Sequence, residues 1–216
     1  MALAADSGMG AFKLYGNCES GHSYKVKLAM EVAKVPHEYE EIDLRLERAA
    51  RPEPFRSLAK YGEVPLLLHD GQAYVQSNAI LLHLAEHLKA FGGETQQRLE
   101  RVREWLFWEA NRIGFSMAHL RYGQKFDPAA YAGTVLPWFR KRFDADIECL
   151  NDELSDGRAF LLDDSISMAD FSICGYMYWP EQANVSFPPH VQAWLARIAT
   201  LPGWRHPYRM EGAQPW

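Results

Sequence analysis

The sequence is poor in cysteine and has no long apolar run. Only Cys18, Cys149 and Cys174 occur among its 216 residues, and no C-x-x-C motif is present. An odd number of widely spaced cysteines argues against a secreted disulfide framework and favours reduced thiols in a cytosol. No apolar run reaches the roughly 18 residues that a membrane-spanning helix needs. The first ten residues contain no Lys or Arg, so a secretory signal peptide is not expected there.

The chain also lacks an excess of positive charge. Lys plus Arg number 23 against 28 Asp plus Glu, a net charge of −5, which argues against a broad nucleic-acid footprint. The P-loop, G-x-S-x-G and G-x-G-x-x-G motifs are absent. Hydrophobic residues make up 48% and charged residues 24%, as in globular proteins, which excludes wholesale disorder. The length allows one large domain or two small ones.

Strand and helix patterns divide the chain near residue 93. The first part reads β-α-β-α-β-β-α and the remainder only as helices. The predicted strands are 12–15, 39–44, 64–69 and 72–75, and the predicted helices before residue 93 are 23–35, a short one at 54–60, and one that starts near 77. The predicted helices after it are 94–122, 128–154 with a kink or break at Pro137, 167–178 and 189–200. A mixed α/β unit followed by an all-helical unit is therefore expected.

Two loops of the first unit carry turn or proline signals. Asp70-Gly71 between two apolar runs predicts a hairpin with a type I′ turn. Val64-Pro65 enters the first of those strands, where a proline cannot donate to the ladder. An ordinary trans bond is the common case, whereas a cis bond would expose the Val64 backbone to a ligand.

Polar residues stand at two predicted helix starts. Asn17 to Ser23 joins the first strand to the first helix, and the unpaired N–H groups and dipole of a helix N-terminus can hold an anion or lower a thiol pKa. Gln76-Ser77 offers an amide and a hydroxyl suited to an amino-acid carboxylate. Plain capping by Ser20, Ser23 or Ser77 is the alternative interpretation.

The helical unit holds one further candidate surface and one structural motif. Beside an apolar stripe, the 94–122 pattern carries a second stripe that mixes aromatic rings and polar tips: Trp105, Trp108, Arg112, Phe115, His119 and Tyr122. Such a stripe suits a cleft wall or a subunit interface, or a second packing face. Ser167 with Asp170 three residues later predicts a structural capping box. His83 and His87 are four residues apart without a further ligand motif nearby, so no metal site is predicted.

Taken in order, these motifs resemble the glutathione S-transferase family over nearly the whole chain, from Phe12 to about Tyr208. The resemblance is carried by four segments and by the closing run 201–208. The segments are Tyr24-Lys25-Val26-Lys27-Leu28-Ala29, Val64-Pro65, Gln76-Ser77-Asn78-Ala79-Ile80-Leu81, and Ser167-Met168-Ala169-Asp170. The resemblance implies an α/β thioredoxin-like N-terminal domain plus an all-α C-terminal domain. It assigns 1–11 to a flexible leader, 12–91 to the glutathione-binding domain and 94–216 to the helical domain that forms the electrophile site.

The resemblance also implies roles for individual residues. Val64 would pair its backbone with the cysteinyl unit of glutathione before a cis Pro65, and Gln76 and Ser77 would hold the γ-glutamyl carboxylate. Ser20 matches the first Ser of the zeta-class Ser-Ser-Cys loop and is expected to stabilise the thiolate, with Ser23 and Cys18 as alternatives. The expected electrophile contacts are Trp108, Arg112, Phe115 and His119, with Arg112 or His119 polarising a leaving group or an enolate.

The implied function is glutathione transfer to small hydrophobic electrophiles, with glutathione as co-substrate and no metal. A glutathione-dependent isomerase, disulfide reductase or dehalogenase is a first alternative, in which Cys18 would allow a glutathionylated intermediate. A non-catalytic binding protein is the second alternative. The family resemblance further implies a cytoplasmic homodimer with a role in detoxification, without a nucleic-acid or membrane partner.

Overall fold

The computed structural model describes residues 10–129, 131, 133–213 and 215. Most of the expected leader, residues 1–9, lies outside the described residues. Its last residue, Ala11, donates its backbone N–H to Asp70 Oδ1 at 2.9 Å and accepts the Asp70 N–H at 3.1 Å. The chain is thus held to the hairpin turn directly before the first strand begins.

The first half forms a four-stranded mixed sheet in the order β2-β1-β3-β4. The strands are β1 (Phe12–Gly16), β2 (His37–Glu41), β3 (Leu66–His69) and β4 (Gln72–Val75). The β1 and β2 strands are parallel, joined by helix α1 (Gly21–Val32), and β3 pairs antiparallel with both β1 and β4. Together with the helices that follow, this sheet confirms the predicted thioredoxin-like and all-helical architecture.

The hairpin between β3 and β4 has the predicted turn. Asp70 and Gly71 have φ values of 50° and 79°, as both central residues of a type I′ turn require. His69 and Gln72 close the ladder on either side of the turn. Because this turn matches the twist of the flanking strands, it brings Val64-Pro65 and Gln76-Ser77 together at the opposite end of the hairpin.

The remaining helices mostly follow the prediction, with shorter bounds. They are α2 (Phe55–Leu58), α3 (Ser77–Leu88), α4 (Gln96–Asn111), α5 (Ile113–Arg121), α6 (Val135–Glu153), α7 (Met168–Cys174) and α8 (Pro189–Ile198). Pro137 lies in the first turn of α6, where the missing N–H has no helical acceptor, so the expected kink is absent. The prediction that this helix starts at residue 128 was wrong, because α6 begins at Val135. No helix among the described residues has both the length and the apolar character to cross a membrane.

The single helix predicted over 94–122 is broken into α4 and α5. Arg112 leaves the helical conformation with φ −121° and ψ −102°. At the break, Gly114 packs against the side chain of Glu109, and a Cβ on this glycine would lie 2.0 Å from Glu109 Oε1. The break therefore lets the Glu109 carboxylate turn into the protein interior.

That carboxylate belongs to a buried polar network that joins the two halves. Lys25 Nζ lies 3.0 Å from Glu109 Oε2 and 2.7 Å from Asn78 Oδ1, and the Asn78 amide donates to Glu109 at 2.8 Å. Ser172 donates to Asn78 Oδ1 at 2.7 Å. Lys25 on α1 and Asn78 on α3 come from the first half, whereas Glu109 on α4 and Ser172 on α7 come from the second.

A capping box starts α7, as predicted. The Asp170 carboxylate accepts from the Ser167 backbone at 2.9 Å and from the Ser167 hydroxyl at 2.7 Å. It also accepts from Leu161 N and Trp194 Nε1, each at 2.9 Å. This fully buried carboxylate is thus a structural centre of the helical half.

Candidate active site

Ser20 is the N-cap of α1. Its φ and ψ of −97° and 113° are extended, and its Oγ accepts the Ser23 N–H at 3.2 Å. The preceding loop is fixed by Asn17, whose Oδ1 accepts the Glu19 N–H at 2.9 Å and whose amide donates to Ile42 O at 2.8 Å. Because Oγ accepts the capping bond, the Ser20 O–H remains available as a donor at a positive helix end.

A second hydroxyl lies opposite Ser20. The Tyr176 side chain follows α7, and its phenol lies near the Ser20 side chain and the His22 backbone, which both act to lower its pKa. Burial raises the pKa of Tyr176 despite these contacts and the nearby charge of Arg121. Tyr176 therefore keeps its proton at neutral pH and can act as a donor. No sequence motif marks Tyr176, and more than 150 residues separate it from Ser20, so the sequence does not predict its place in the site.

Glu19, next to Ser20, is held by the helical half. Arg121 donates through Nη1 to the Glu19 carbonyl at 2.5 Å and through Nη2 to its carboxylate. Lys125 Nζ and the Tyr208 hydroxyl each donate to Glu19 Oε2 at 2.7 Å. Burial by itself would raise the pKa of Glu19, but these hydrogen bonds and charges hold it below its ordinary range. Arg121 also stacks over the Trp179 ring at 4.0 Å, so the loop beside Ser20 is anchored to a rigid support.

A cavity of about 380 Å³ opens beside Ser20. Its walls combine aromatic rings with the anchored ion pair, and its lining residues are Glu19, Ser20, Leu44, Ala118, Arg121, Tyr122, Phe126 and Tyr176. Tyr122 and Phe126 bound a π-helical turn, Tyr122–Phe126, that continues α5. Such turns are frequent at functional sites. The cavity fits a small, largely apolar molecule next to the Ser20 hydroxyl.

A second, smaller cavity of about 90 Å³ lies at the open end of the hairpin. It is lined by His22, Tyr61, Glu63, Val64, Pro65, Val75, Gln76 and Ser77. The structure therefore brings together the four residues for which the resemblance implied glutathione contacts, Val64, Pro65, Gln76 and Ser77. The Val64–Pro65 peptide bond is cis.

The backbone conformation of Gln76 and the position of Ser77 in α3 differ from what the sequence suggests. Gln76 has a φ of 70°, a left-handed conformation that is uncommon for a non-glycine residue and is concentrated at functional sites. Ser77 is the first residue of α3 and not its N-cap, which is Gln76. The Ser77 hydroxyl lies 3.4 Å from His22 Nδ1. It therefore faces the cavity and can serve a ligand.

Cationic side chains flank this smaller cavity. An open groove of about 420 Å³ adjoins it, lined by Arg48, Lys60, Tyr61, Glu63 and Gln76. Arg48 lies 3.8 Å from Glu63 in an exposed ion pair. Sequence reasoning missed Arg48 and Lys60 because single basic residues in loops carry no motif.

The four residues expected at the electrophile site do not line the cavity beside Ser20. Arg112 is engaged by the buried carboxylate of Asp146, with Nε 2.8 Å from Oδ1, and this contact raises its pKa. His119 Nδ1 lies 2.6 Å from the Tyr131 hydroxyl. Trp108 packs edge-on against the Trp105 ring.

The break at Arg112 and the packing of α6 explain this placement. The His119 ring stacks on Phe139 of α6, and Phe115 meets both rings edge-on. The aromatic stripe is thus divided between packing contacts and partly exposed rings such as Phe115. Around Phe115 and His119 the stripe is a second packing face, which the sequence left open as an alternative, whereas Tyr122 at its end lines the cavity beside Ser20.

Cys18 does not line the cavity beside Ser20. It is buried and lines a separate cavity of about 10 Å³ with Asn17, Ser23, Lys27 and Tyr39, among others. Cys149 and Cys174 are free thiols. Within the described residues, no group of three or more His, Cys, Asp or Glu side chains has a geometry that could hold a metal ion. His83 Nε2 lies 2.8 Å from His69 Nδ1.

Comparison with known proteins agrees with this architecture. Residues 19–87 match the glutathione S-transferase N-terminal domain, and residues 121–202 match the C-terminal domain of the same family. The disulfide-bond oxidoreductase YfcG of Escherichia coli is 25% identical over 194 residues, covering 84% of this chain and 87% of that protein. The chain belongs to the glutathione S-transferase family.

Solved structures show the same fold. A glutathione S-transferase from Xanthobacter autotrophicus is 28% identical, with 90% of this chain and 96% of that chain covered and a TM-score of 0.79. A glutathione transferase from Burkholderia graminis, with two glutathione molecules bound per subunit, is 20% identical. That alignment covers 98% of this chain and 92% of the other with a TM-score of 0.80. At this lower identity the likeness concerns the fold alone.

Proposed function

We propose that this protein is a glutathione transferase that stabilises the thiolate of glutathione for attack on small hydrophobic electrophiles. The observation that carries the proposal is the position of Ser20. Its hydroxyl stands at the N-terminus of α1 in the wall of the larger cavity, and His22, two residues later, lines the smaller one. A thiol held between the two cavities would meet a hydroxyl donor and a positive helix end together.

The magnitudes support thiolate stabilisation without a metal or a general base. A thiol with a pKa of about 8.5 is about 3% ionised at pH 7. Lowering that pKa to about 6.5 requires about 2.7 kcal/mol of preferential stabilisation of the thiolate. A hydroxyl hydrogen bond to a charged acceptor contributes about 1.5–3 kcal/mol and a helix dipole about 0.3–1 kcal/mol. Ser20 and α1 together are therefore sufficient, and the Tyr176 hydroxyl offers a second donor.

In this proposal glutathione lies along the smaller cavity. Gln76 and Ser77 hold the γ-glutamyl carboxylate, and the Val64 backbone before cis Pro65 pairs with the cysteinyl unit. The glycyl carboxylate extends into the groove that carries Arg48 and Lys60, whose charges complement it. The thiol then points toward Ser20.

The electrophile occupies the cavity of about 380 Å³. Its lining favours contacts with Tyr122, Phe126 and Tyr176, whose rings suit an apolar molecule. We therefore propose these three side chains as the electrophile contacts. They replace the residues expected from the sequence, Trp108, Arg112, Phe115 and His119, which do not line that cavity. The polarising role expected of Arg112 or His119 has no support from their contacts with Asp146 and Tyr131.

Disulfide reduction is the second candidate, favoured by the similarity to the oxidoreductase of Escherichia coli. Two glutathione molecules would reduce a disulfide R–S–S–R to two thiols, and the pair would leave as glutathione disulfide, so electrons and protons balance. The larger cavity would then hold the disulfide or the second glutathione. Because Cys18 lines a different cavity, this reaction would need no protein cysteine.

A comparison of variants in two assays tests these candidates. Ser20→Ala is expected to lower the rate of glutathione conjugation to an aryl halide at pH 6.5 by about ten- to a hundredfold, the loss of one charged hydrogen bond. Ser165→Ala, an exposed serine distant from Ser20 in sequence, is the matched control and should retain the rate. In the second assay a small dialkyl disulfide replaces the aryl halide, and its glutathione-dependent reduction would identify a reductase. Cys18→Ser should leave that reductase activity intact.

Two outcomes would contradict the transferase proposal. A rate that is unchanged by Ser20→Ala would remove Ser20 from the mechanism. Glutathione binding without activity toward either substrate class would favour a non-catalytic binding protein with this fold. As part of the proposal we keep a cytoplasmic homodimer with a role in detoxification, supported by the family membership.

A further inference from the structure

We propose that His22 binds the α-carboxylate of the glutamyl end of glutathione together with Ser77, and that it takes up a proton when it does so. This inference rests on the proposed function, because it requires glutathione to occupy the smaller cavity. His22 would then select ligands that carry an α-carboxylate at the glutamyl end, and the affinity for such ligands would depend on pH.

The geometry places His22 at the carboxylate position. His22 lies on the first turn of α1 and lines the smaller cavity, where its Nδ1 is 3.4 Å from Ser77 Oγ. A carboxylate that accepts the Ser77 hydroxyl at the start of α3 would therefore lie within reach of the imidazole. The ring also meets Tyr176 edge-on at 5.1 Å, which fixes its orientation from the side of the helical half.

The charges around His22 leave it neutral while the cavity is empty. Burial, and after it the nearby charge of Lys25, lower the pKa of His22 to about 4, whereas Glu109 opposes this shift. The groups that act on or contact the ring are Lys25 on α1, Ser77 on α3, Glu109 on α4, His119 on α5 and Tyr176 after α7, and Tyr61 and Glu63 before β3 line the same cavity. Lys25 Nζ forms an ion pair with Glu109 Oε2 at 3.0 Å, so the negative charge of Glu109 is largely compensated and stabilises a protonated His22 only weakly.

A bound carboxylate changes this balance. It brings a full negative charge into a partly buried site, and an opposite charge at about 4–6 Å raises a histidine pKa. The complex therefore binds a proton that the empty protein does not bind, so ligand affinity increases as pH falls. A rise in pKa from about 4 to about 6 corresponds to an affinity about tenfold higher at pH 5 than at pH 8, with uptake of about 0.8 proton at pH 5.

The probe is S-methylglutathione, because its blocked sulfur cannot release a proton that would mask the uptake. Titration calorimetry at pH 5 in several buffers with different ionisation enthalpies measures the number of protons taken up. We expect about 0.8 proton for the natural protein and almost none for His22→Gln. His190→Gln, a change at an exposed histidine on α8, is the matched control and should behave like the natural protein.

A ligand that lacks the α-carboxylate tests the same proton uptake on the natural protein, without a variant. The S-methyl peptide with 4-aminobutyrate in place of the glutamyl residue lacks the α-carboxylate, and the natural protein should bind it without proton uptake. S-methylglutathione binding with no proton uptake and equal affinity at pH 5 and pH 8 would overturn the inference and leave the proposed function intact. Absence of any binding at millimolar S-methylglutathione would instead overturn the proposed function.

Discussion

The buried pair of Lys25 and Glu109 gives the sharpest prediction for stability. Glu109→Gln keeps the size of the side chain but removes its charge, and Lys25→Met removes the partner. Both side chains are almost completely buried, at 1% and 2% exposure. Removing one member of such a pair leaves an uncompensated buried charge, which costs about 3–5 kcal/mol. The free energy of unfolding should therefore fall by about that amount in each single variant.

The network predicts how the two changes combine. In the double variant Lys25→Met with Glu109→Leu, no buried charge is left. Asn78 retains partners, because its amide still donates to Leu106 O at 2.8 Å and its carbonyl still accepts from Ser172 at 2.7 Å. The double variant should thus lose several kcal/mol less than the sum of the single Lys25→Met and Glu109→Leu losses.

Urea unfolding followed by tryptophan fluorescence, at one fixed protein concentration, measures these free energies. The exposed pair of Arg101 and Glu104, 2.8 Å apart, supplies the control. Glu104→Gln should change stability by less than about 1 kcal/mol, because surface pairs contribute little. A loss below about 1 kcal/mol for Glu109→Gln, or strict additivity in the double variant, would refute the role given to this network.

Three further changes test the site and its surroundings. Tyr176→Phe removes the second hydroxyl beside Ser20 and should move the acidic limb of the pH–rate profile for conjugation upward; an unmoved limb would exclude Tyr176 as a thiolate donor. Arg121→Lys keeps the charge but loses the fork that holds Glu19, so kcat should fall severalfold with little change in the affinity for glutathione, and steady-state kinetics would show this split. Burial and the nearby His69 lower the pKa of His83 in the folded state, so on acidification His83 is protonated more readily in the unfolded chain than in the folded protein. Stability should fall as pH drops below about 6.5, and His83→Gln should flatten the dependence of the urea midpoint on pH.

Much of the scaffold could be predicted because its signals are local. The Asp70-Gly71 turn requires two positive φ values that few other dipeptides tolerate, and the structure has both. Ser167 and Asp170 form their capping box three residues apart. Each feature depends on residues that are neighbours in sequence, so the pattern and the structure agree.

The parts of the site that were missed depend on contacts across the chain. Arg121 and Tyr176 reach the loop around Ser20 from more than 100 residues away, and no sequence motif marks either residue. The helical stripe around Arg112 misled for a related reason. Its spacing predicts one face of one helix, but the break before α5 divides this face: Arg112 contacts the buried Asp146, whereas Tyr122 lines the larger cavity.

Ser77 shows an intermediate case. The sequence correctly marks a helix start but suggests that the hydroxyl caps it, whereas Gln76 occupies the N-cap position with a positive φ. The hydroxyl is thereby released toward the cavity and His22. A strained residue directly before the helix therefore carries functional information that helix propensity alone does not contain.

The ionisation of glutathione bound to this protein tests the central claim most directly. Thiolate absorbance of the complex, followed against pH, gives the pKa of the bound thiol in the natural protein and in Ser20→Ala. We expect a pKa near 6.5 in the natural complex and a rise of about one to two units in the variant, equivalent to the loss of one charged hydrogen bond. A bound thiol that titrates near its free value of about 8.5, or a pKa that Ser20→Ala leaves unchanged, would contradict the account.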